Sequence, residues 1–413
     1  MYQILGSDER SAKCEIKNQD WTRVSIETLK YLKRHVRPDR PARERLVEVL
    51  RMAARREEQS KELIATRCER GASIVHKMGF PDATAQAILN LDEHWNGKGS
   101  PRHARGEEIP LYSQVMNLAQ TLEVYHALHG PAEALDVARR RSGRWFSPEL
   151  VRIVVSWGED SEIWREASSE QAGQTVEEMA PDQDSITVDE ERLDAICEAF
   201  ADVIDAKSPF TYRHSAGVAQ AAVAMGLEMG FDRPALTTLR RAALLHDIGK
   251  LSVSNAILEK PGRLTAAEWE VVRKHPYYTE KILEKAPVFS DFAVMAASHH
   301  EKLDGSGYHR ALKSSQLPLP ARALAVADIY DALAADRPYR KGMPLERVLS
   351  IIKEDAPQQL DADCVEALKI AVSRAGWKAP EPGLECVTEM EPESCVYAPQ
   401  FEDSEDVVAA RVF

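Results

Sequence analysis

The run Leu244-Leu-His-Asp-Ile-Gly-Lys250 places an imidazole and a carboxylate, His246 and Asp247, side by side at the end of an apolar, alanine-rich stretch. Two adjacent polar groups on the last turn of a buried helix are costly unless something satisfies them. The chain supplies more groups of the same kind. They are His214, His275, the pair His299-His300 behind the apolar run 292–298, and Asp328 in the middle of Leu324-Ala-Val-Ala-Asp-Ile-Tyr-Asp-Ala-Leu333. A carboxylate inside an apolar helix must be paired or must coordinate a cation. Neighbouring helical side chains diverge by about 100°, so His299 and His300 can reach one ion from two sides or two ions. Five imidazoles and two aspartates suffice for two metal sites, and an imidazole-rich set favours iron, manganese or zinc over magnesium or calcium.

A single histidine at a helix end is more often a cap or a satisfied core residue than a ligand. His35, His76, His94, His103, His126 and His129 carry that reading. The set around His246 resists it, because all its members fall at the ends or on the buried faces of apolar helices.

These residues need helices to position them, and the spacing predicts an all-α protein. From Val188 to about Ala375 helical periodicity dominates and β signals are scarce. Thr265-Ala-Ala-Glu268 reads as a capping box, and Pro234, Pro276, Pro320 and Pro344 stand where helices would begin. Earlier in the chain, residues 1–60 read as polar helices broken at Arg37-Pro-Asp-Arg-Pro41. A helical period then runs from Glu62 to Gly79-Phe-Pro81 and another helix from Asp82 to Leu91, followed by a glycine-bearing loop over 92–101. Helices begin again at Pro110 and at Ser147-Pro-Glu149. Residues 158–187 are acidic and poor in large apolar groups, which predicts an interdomain linker, and 376–413 read as a loosely ordered tail.

The 413-residue chain is long enough for more than one domain, and its net charge of −13 gives no overall attraction to nucleic acid or anionic lipid. A phosphate ligand would need a local basic site. Six scattered cysteines without a CxxC pair argue against a disulfide framework and fit a reducing cytoplasm. No apolar run approaches the ~20 residues of a membrane span, and the N-terminus carries no signal-peptide pattern.

Sliding the chain against itself by about 208 residues reveals an internal repeat. Gly97 and Gly99 fall on Gly305 and Gly307, Arg102 on Arg310, Pro110-Leu111 on Pro318-Leu319, and Ala119 on Ala327. The expected organisation is a truncated repeat over 1–157, the linker 158–187, a complete unit over 188–375 and the tail 376–413. At the same offset His275 becomes Arg67, His299-His300 become Leu91-Asp92, and Asp328 becomes Gln120, so the first copy has lost the metal-type set.

The ordered blocks of the second copy carry a resemblance. They are His214, His246-Asp247-Ile-Gly-Lys250, Lys274-His275-Pro276, His299-His300-Glu301, Asp304-Gly-Ser-Gly-Tyr308, Asp328-Ile-Tyr-Asp331 and Arg337-Pro-Tyr-Arg-Lys341. Together they resemble the HD-GYP family of bacterial phosphodiesterases. The resemblance implies two related helical HD-type units, of which only the C-terminal one is complete. It implies hydrolysis of cyclic di-GMP or a related cyclic dinucleotide by a metal-activated hydroxide, with two divalent transition-metal ions, iron or manganese first and zinc after them. Asp247 would bridge the ions; His214, His246 and Asp328 would complete one site, and His275, His299 and His300 the other. Lys250, Tyr308, Arg337, Arg340 and Lys341 would contact substrate, with Lys250 also catalytic. The Gly305–His309 loop would meet a signalling partner, and the degenerate repeat would serve a structural, regulatory or dimer-forming role.

Two departures matter. The family loop reads Gly-Tyr-Pro, whereas this chain has Gly307-Tyr308-His309, which bears on partner or substrate choice. Three-metal members place a Glu four residues before the first His; Phe210 stands there, which favours two metals. The competing readings are an HD-type phosphohydrolase for another nucleotide and a signalling scaffold without turnover.

Overall fold

The computed structural model describes residues 43–44, 64–179, 188–207, 213–260, 262–336, 341–374 and 377. The predicted break at 37–41, Phe210, Arg337, Arg340 and almost all of the tail lie outside them. Among the described residues the regular structure is helical, and extended pairing is limited to isolated bridges. The chain divides into two units, Met1–Arg192 and Leu193–Phe413.

The first unit contains α1 (64–77), α2 (Asp82–Leu89), α3 (Leu111–His129), α4 (Pro131–Arg141) and α5 (Pro148–Ser156). Its core gathers Leu118, Leu122 and Tyr125 from α3, Ala134, Leu135 and Ala138 from α4, and Val151 and Val154 from α5. The stretch expected as a linker departs from that reading. It carries α6 (Glu162–Ala167) and α7 (Ala172–Met179). Trp164 of α6 is 6% exposed, packs into the core, and donates its indole N–H to Gly158 O at 2.9 Å. One indole anchors a segment whose composition is otherwise polar, which is why composition alone misses it.

Helix α8 (Glu190–Asp205) runs across the division. The second unit continues with α9 (His214–Glu228), α10 (Arg233–Leu245), a 3₁₀ turn (Ile248–Ser252), α11 (Asn255–Leu258), α12 (Ala266–Val272), α13 (His275–Leu283) and α14 (Ser290–Ala297). It closes with α15 (Leu319–Ala334), α16 (Leu345–Glu354) and α17 (Ala362–Val372). Helix starts follow the sequence signals. Thr265 and Glu268 close the capping box, Asp232 accepts from Ala235 N at 2.9 Å, and Pro234 sits in the first turn of α10. Helix α15 is central, buried almost without interruption from Ala321 to Leu333. An all-round apolar helix can be stable only in this position. It packs against α9, α10, α16 and α17.

The repeat is visible bond by bond at the offset of 208. Asn96 bridges Arg105 as Asp304 bridges Lys313. Glu93 accepts from Arg102 N at 2.5 Å as Glu301 accepts from Arg310 N at 3.0 Å. Gly97 and Gly305 take φ of +74° and +84°, a turn that disfavours other residues. The Gln114 and Arg322 side chains donate to Ile109 O and Leu317 O at 2.7 and 2.8 Å. The two units build the same loop frame.

Candidate metal centre

Helix α10 delivers His246 at its C-cap, and Asp247 opens the 3₁₀ turn. Thr279 of α13 fixes this junction. Its hydroxyl donates to His246 O at 2.8 Å and accepts from Gly249 N at 3.0 Å. A Cβ at position 249 would run into the His275 carbonyl, so the turn requires glycine. Both helices are thereby locked together where two of the histidines emerge.

Three imidazoles are oriented by the same local device. His246, His275 and His299 each bond through Nδ1 to the carbonyl three residues earlier, on Ala243, Val272 and Ala296, all at 2.7 Å. A carbonyl only accepts, so each Nδ1 carries the proton and each Nε2 presents a lone pair. His214 is oriented through Nδ1 by Asp331 Oδ2 at 2.7 Å. The consequence is severe at one contact: His275 Nε2 and His299 Nε2 face each other at 3.0 Å. Two lone pairs at that distance repel unless a cation is shared between them. His246 Nε2 and His300 Nε2 are buried with no hydrogen-bond partner. Lone pairs converging in a dry site fit a metal ion.

The carboxylates stand between these rings. Asp247 Oδ1 lies 3.3 Å from His275 Nε2 and 3.7 Å from His299 Nε2, while its Oδ2 lies 3.4 Å from His246 Nε2 and 3.8 Å from His214 Nε2. Asp328 Oδ1 is 3.2 Å from His214 Nε2, and its Oδ2 is 3.8 Å from His300 Nδ1. Three ligand-type clusters result, His275–His299–His300, His214–His246–Asp328 and His246–Asp247–His299, each with its atoms within 4.8 Å of one another. The clusters are able to bind metal.

The electrostatics keep both carboxylates and three of the rings in ligand form. Burial alone would raise the Asp247 pKa, but Lys250, His246 and His275 outweigh it and hold the carboxyl well below the usual range. For Asp328 burial is likewise outweighed, here by the hydrogen bond from His214 and by His246 and His300. Burial, with His246 and His275 adding to it, pushes His299 down to about 3; burial also lowers His275 and takes His300 well below its ordinary value. These three rings are neutral at pH 7. His246 moves the other way, because Asp247 outweighs its burial.

Lys250 is buried, and its Nζ lies 2.7 Å from Asp247 Oδ2, so it faces the cluster. The Tyr308 ring lies 4.5 Å from the His300 ring, and burial pushes its phenol up to about 12. Lys341 is described, whereas Arg337 and Arg340 are not. Two positioning residues escaped the sequence reading. Asp331 lies three residues beyond Asp328 and so shares its helix face, a spacing that could have flagged it. Thr279 gives no such signal, since its partners lie 30 and 33 residues away in the chain.

The HD domain family matches residues 45–150 and 198–364, well over half of the chain. This protein belongs to the HD-domain family. Among its HD-domain relatives, 3'3'-cGAMP-specific phosphodiesterase 3 of Vibrio cholerae is 42% identical over 330 residues, covering 80% of this chain and 72% of the relative. A cyclic di-GMP phosphodiesterase of Thermotoga maritima is 37% identical over 159 residues, or 38% of this chain and 43% of the relative. The crystal structure of a cyclic GMP-AMP-specific phosphodiesterase of V. cholerae matches with a TM-score of 0.54 and 38% identity, covering 85% of this chain and 82% of that one. The HD-domain match includes the first unit, where the imidazole set is absent and the loop frame persists.

Proposed function

We propose that this HD-domain protein is a metal-dependent phosphodiesterase that hydrolyses cyclic dinucleotides, cyclic di-GMP or a cyclic GMP-AMP among them. The observation that carries the reading is the pair of Nε2 lone pairs of His275 and His299 facing at 3.0 Å beside the Asp247 carboxylate. Such a geometry is stable with a shared cation and unfavourable without one. The named activities of the relatives supply the substrate class.

His214, His246 and Asp328 would hold one ion and His275, His299 and His300 the other, with Asp247 reaching both through separate oxygens. Iron or manganese fits this donor set best, and zinc next. When bound, two such ions clamp a phosphodiester and lower the pKa of a water to give a nucleophile at neutral pH. The chain's own residues do the rest. Lys250 holds Asp247 charged and oriented. The carbonyls behind His246, His275 and His299, and Asp331 behind His214, fix the rings in the tautomer a ligand needs. Burial of the whole set excludes bulk water, which strengthens every charge interaction inside.

The test is product analysis with cyclic di-GMP and 3'3'-cGAMP on purified protein loaded anaerobically with iron or manganese. Linear dinucleotide or mononucleotide should appear, and His246→Ala with Asp247→Ala should abolish it. Undiminished turnover by that double variant would sink the reading. A second reading, an HD-type hydrolase for another nucleotide, draws on His309, whose Nε2 lies 3.3 Å from Glu280 Oε2 where the family loop has proline. A nucleotide panel that shows turnover only outside the cyclic dinucleotides would favour it.

The Gly305–His309 loop, with Tyr308 at its end, is the surface we assign to a signalling partner, and the first unit is the candidate dimer-forming or regulatory part. No described helix is long and apolar enough to cross a membrane. Free, buried Cys68, Cys197 and Cys364 fit a reducing compartment, and we assign the protein to the cytoplasm.

A further inference from the structure

Arg273 caps the C-terminal end of α12, two residues before His275. Its guanidinium carbon lies 4.9 Å from the centre of the Tyr308 ring, and that ring lies 4.5 Å from the His300 imidazole at an angle of 33°. Tyr308 thus contacts both the guanidinium and a ring of the metal-type cluster. Among the described residues its side chain has this one contact, with no hydrogen bond and no ion pair. A guanidinium lying over a ring keeps its five N–H donors directed outward along its edge. The residue is solvent-exposed, so an acceptor can reach those donors.

The chain contains its own comparison. At the offset of 208, Arg273 corresponds to Ala65 and Tyr308 to Ser100, in the unit where His275 and His300 are replaced by Arg67 and Asp92. The loop frame survives there, with Glu93 and Gly97 matching Glu301 and Gly305. Folding the loop therefore does not require Tyr308, and the first unit keeps that loop with Ala65 at the Arg273 position. Both appear only where the imidazole cluster appears.

We propose that Arg273 is a substrate-binding residue that pairs with a phosphate oxygen of the cyclic dinucleotide, on the phosphate not held by the metal cluster, and that Tyr308 holds its guanidinium in place. This rests on the substrate class proposed above. A cyclic dinucleotide carries two phosphodiesters. With one at the cluster, the second needs a cation that the chain, at −13 overall, must supply locally. A fork of N–H donors matches a phosphate bidentately. The edge of guanine offers a similar pair of acceptors. A bound base also wants an aromatic face, however, and the Tyr308 ring already meets His300, the edge of His275 and Arg273 itself.

The experiment compares wild type with Arg273→Ala and Arg273→Lys, as full-length metal-loaded protein, on cyclic di-GMP, 3'3'-cGAMP and cyclic di-AMP. For Arg273→Ala the expected result is a KM raised about tenfold, by the same factor for every substrate that wild type turns over. Turnover number should stay within about threefold and bound metal per chain should be unchanged, with part of the KM recovered by Arg273→Lys. A loss confined to guanine-containing substrates would mean a base contact and overturn the assignment. So would an unchanged KM, or a fall in kcat that tracks lost metal, which is the mark of a structural role. Wild type inactive on all three overturns the substrate class and this assignment with it; wild type active on any of them isolates Arg273 in the variant ratio.

Discussion

Arg67 and Asp92 form an ion pair in the first unit, at the positions that His275 and His300 occupy 208 residues later. Cys68 Sγ adds a 3.4 Å contact to the same carboxylate. Where the second unit turns lone pairs toward each other, the first satisfies its charge within the protein. A paired guanidinium and carboxylate need no ion, and the Asp328 position is the neutral Gln120. The first unit thus carries a different chemistry inside a matching loop frame.

Breaking that pair should therefore leave the metal centre alone. Arg67→Ala and Asp92→Ala are expected to lower stability by about 0.5–1 kcal/mol, the range for a partly exposed pair. Denaturant unfolding measures the change. Bound metal per chain, read by elemental analysis, should stay at the wild-type value; a drop would show that the first unit holds an ion.

Asp331 acts through His214. Asp331→Asn keeps the shape but removes the negative partner of Nδ1–H, and metal affinity should fall about 10–100-fold. Competition against a chelator of known affinity reads this directly. Equal affinities in variant and wild type would remove Asp331 from the positioning set.

Gly249→Ala pushes a methyl group into the His275 carbonyl, against the turn that carries Asp247 and Lys250. Overpacking of this kind costs about 1–3 kcal/mol. The melting temperature should fall and metal content should fall with it. A variant that unfolds like wild type would show that the turn can shift without strain.

Asp361 caps α17 by accepting from Asp363 N and Cys364 N at 3.0 and 3.2 Å, and it receives Arg322 Nη1 at 2.8 Å. Burial would raise its pKa, but Arg322 and the two backbone donors outweigh it and lower the value below the ordinary 3.8. A depressed carboxyl stabilises the fold above its unfolded pKa and loses that contribution as pH falls through the folded value. Asp361→Ala should cost about 1 kcal/mol near neutral pH. The gap between variant and wild type, followed by urea unfolding, should close progressively below about pH 4. A gap that stays constant down to pH 2 would contradict the assignment.

Much of the centre was legible because its parts are chemically conspicuous. His246-Asp247, His299-His300 and Asp328 stand out against apolar helices, and the repeat showed which of them the frame could do without. The helix starts marked by Pro234, Thr265 and Pro344 followed from local capping chemistry. Within the stretch 158–187 the helices over 162–179 were not legible, because their docking depends on Trp164, the one buried residue among those described there. Nothing local announces that such a residue will be buried.

The amino-acid sequence alone determined the helical class and the internal repeat and singled out the candidate metal-type residues, because periodicity, capping and burial cost are local properties of the chain. Even the imidazole tautomers at His246, His275 and His299 are nearly local, since each ring meets a carbonyl only three residues back. Tertiary structure decided the rest. It aimed the Nε2 atoms of His275 and His299 at each other, divided the two oxygens of Asp247 between two groups of rings, and put Asp331 behind His214 across 117 residues. It also laid Arg273 over Tyr308 and Tyr308 over His300. Those relationships join separate helices and loops, and they exist only once α15 is enclosed by its neighbours and the 3₁₀ turn is pinned by Thr279.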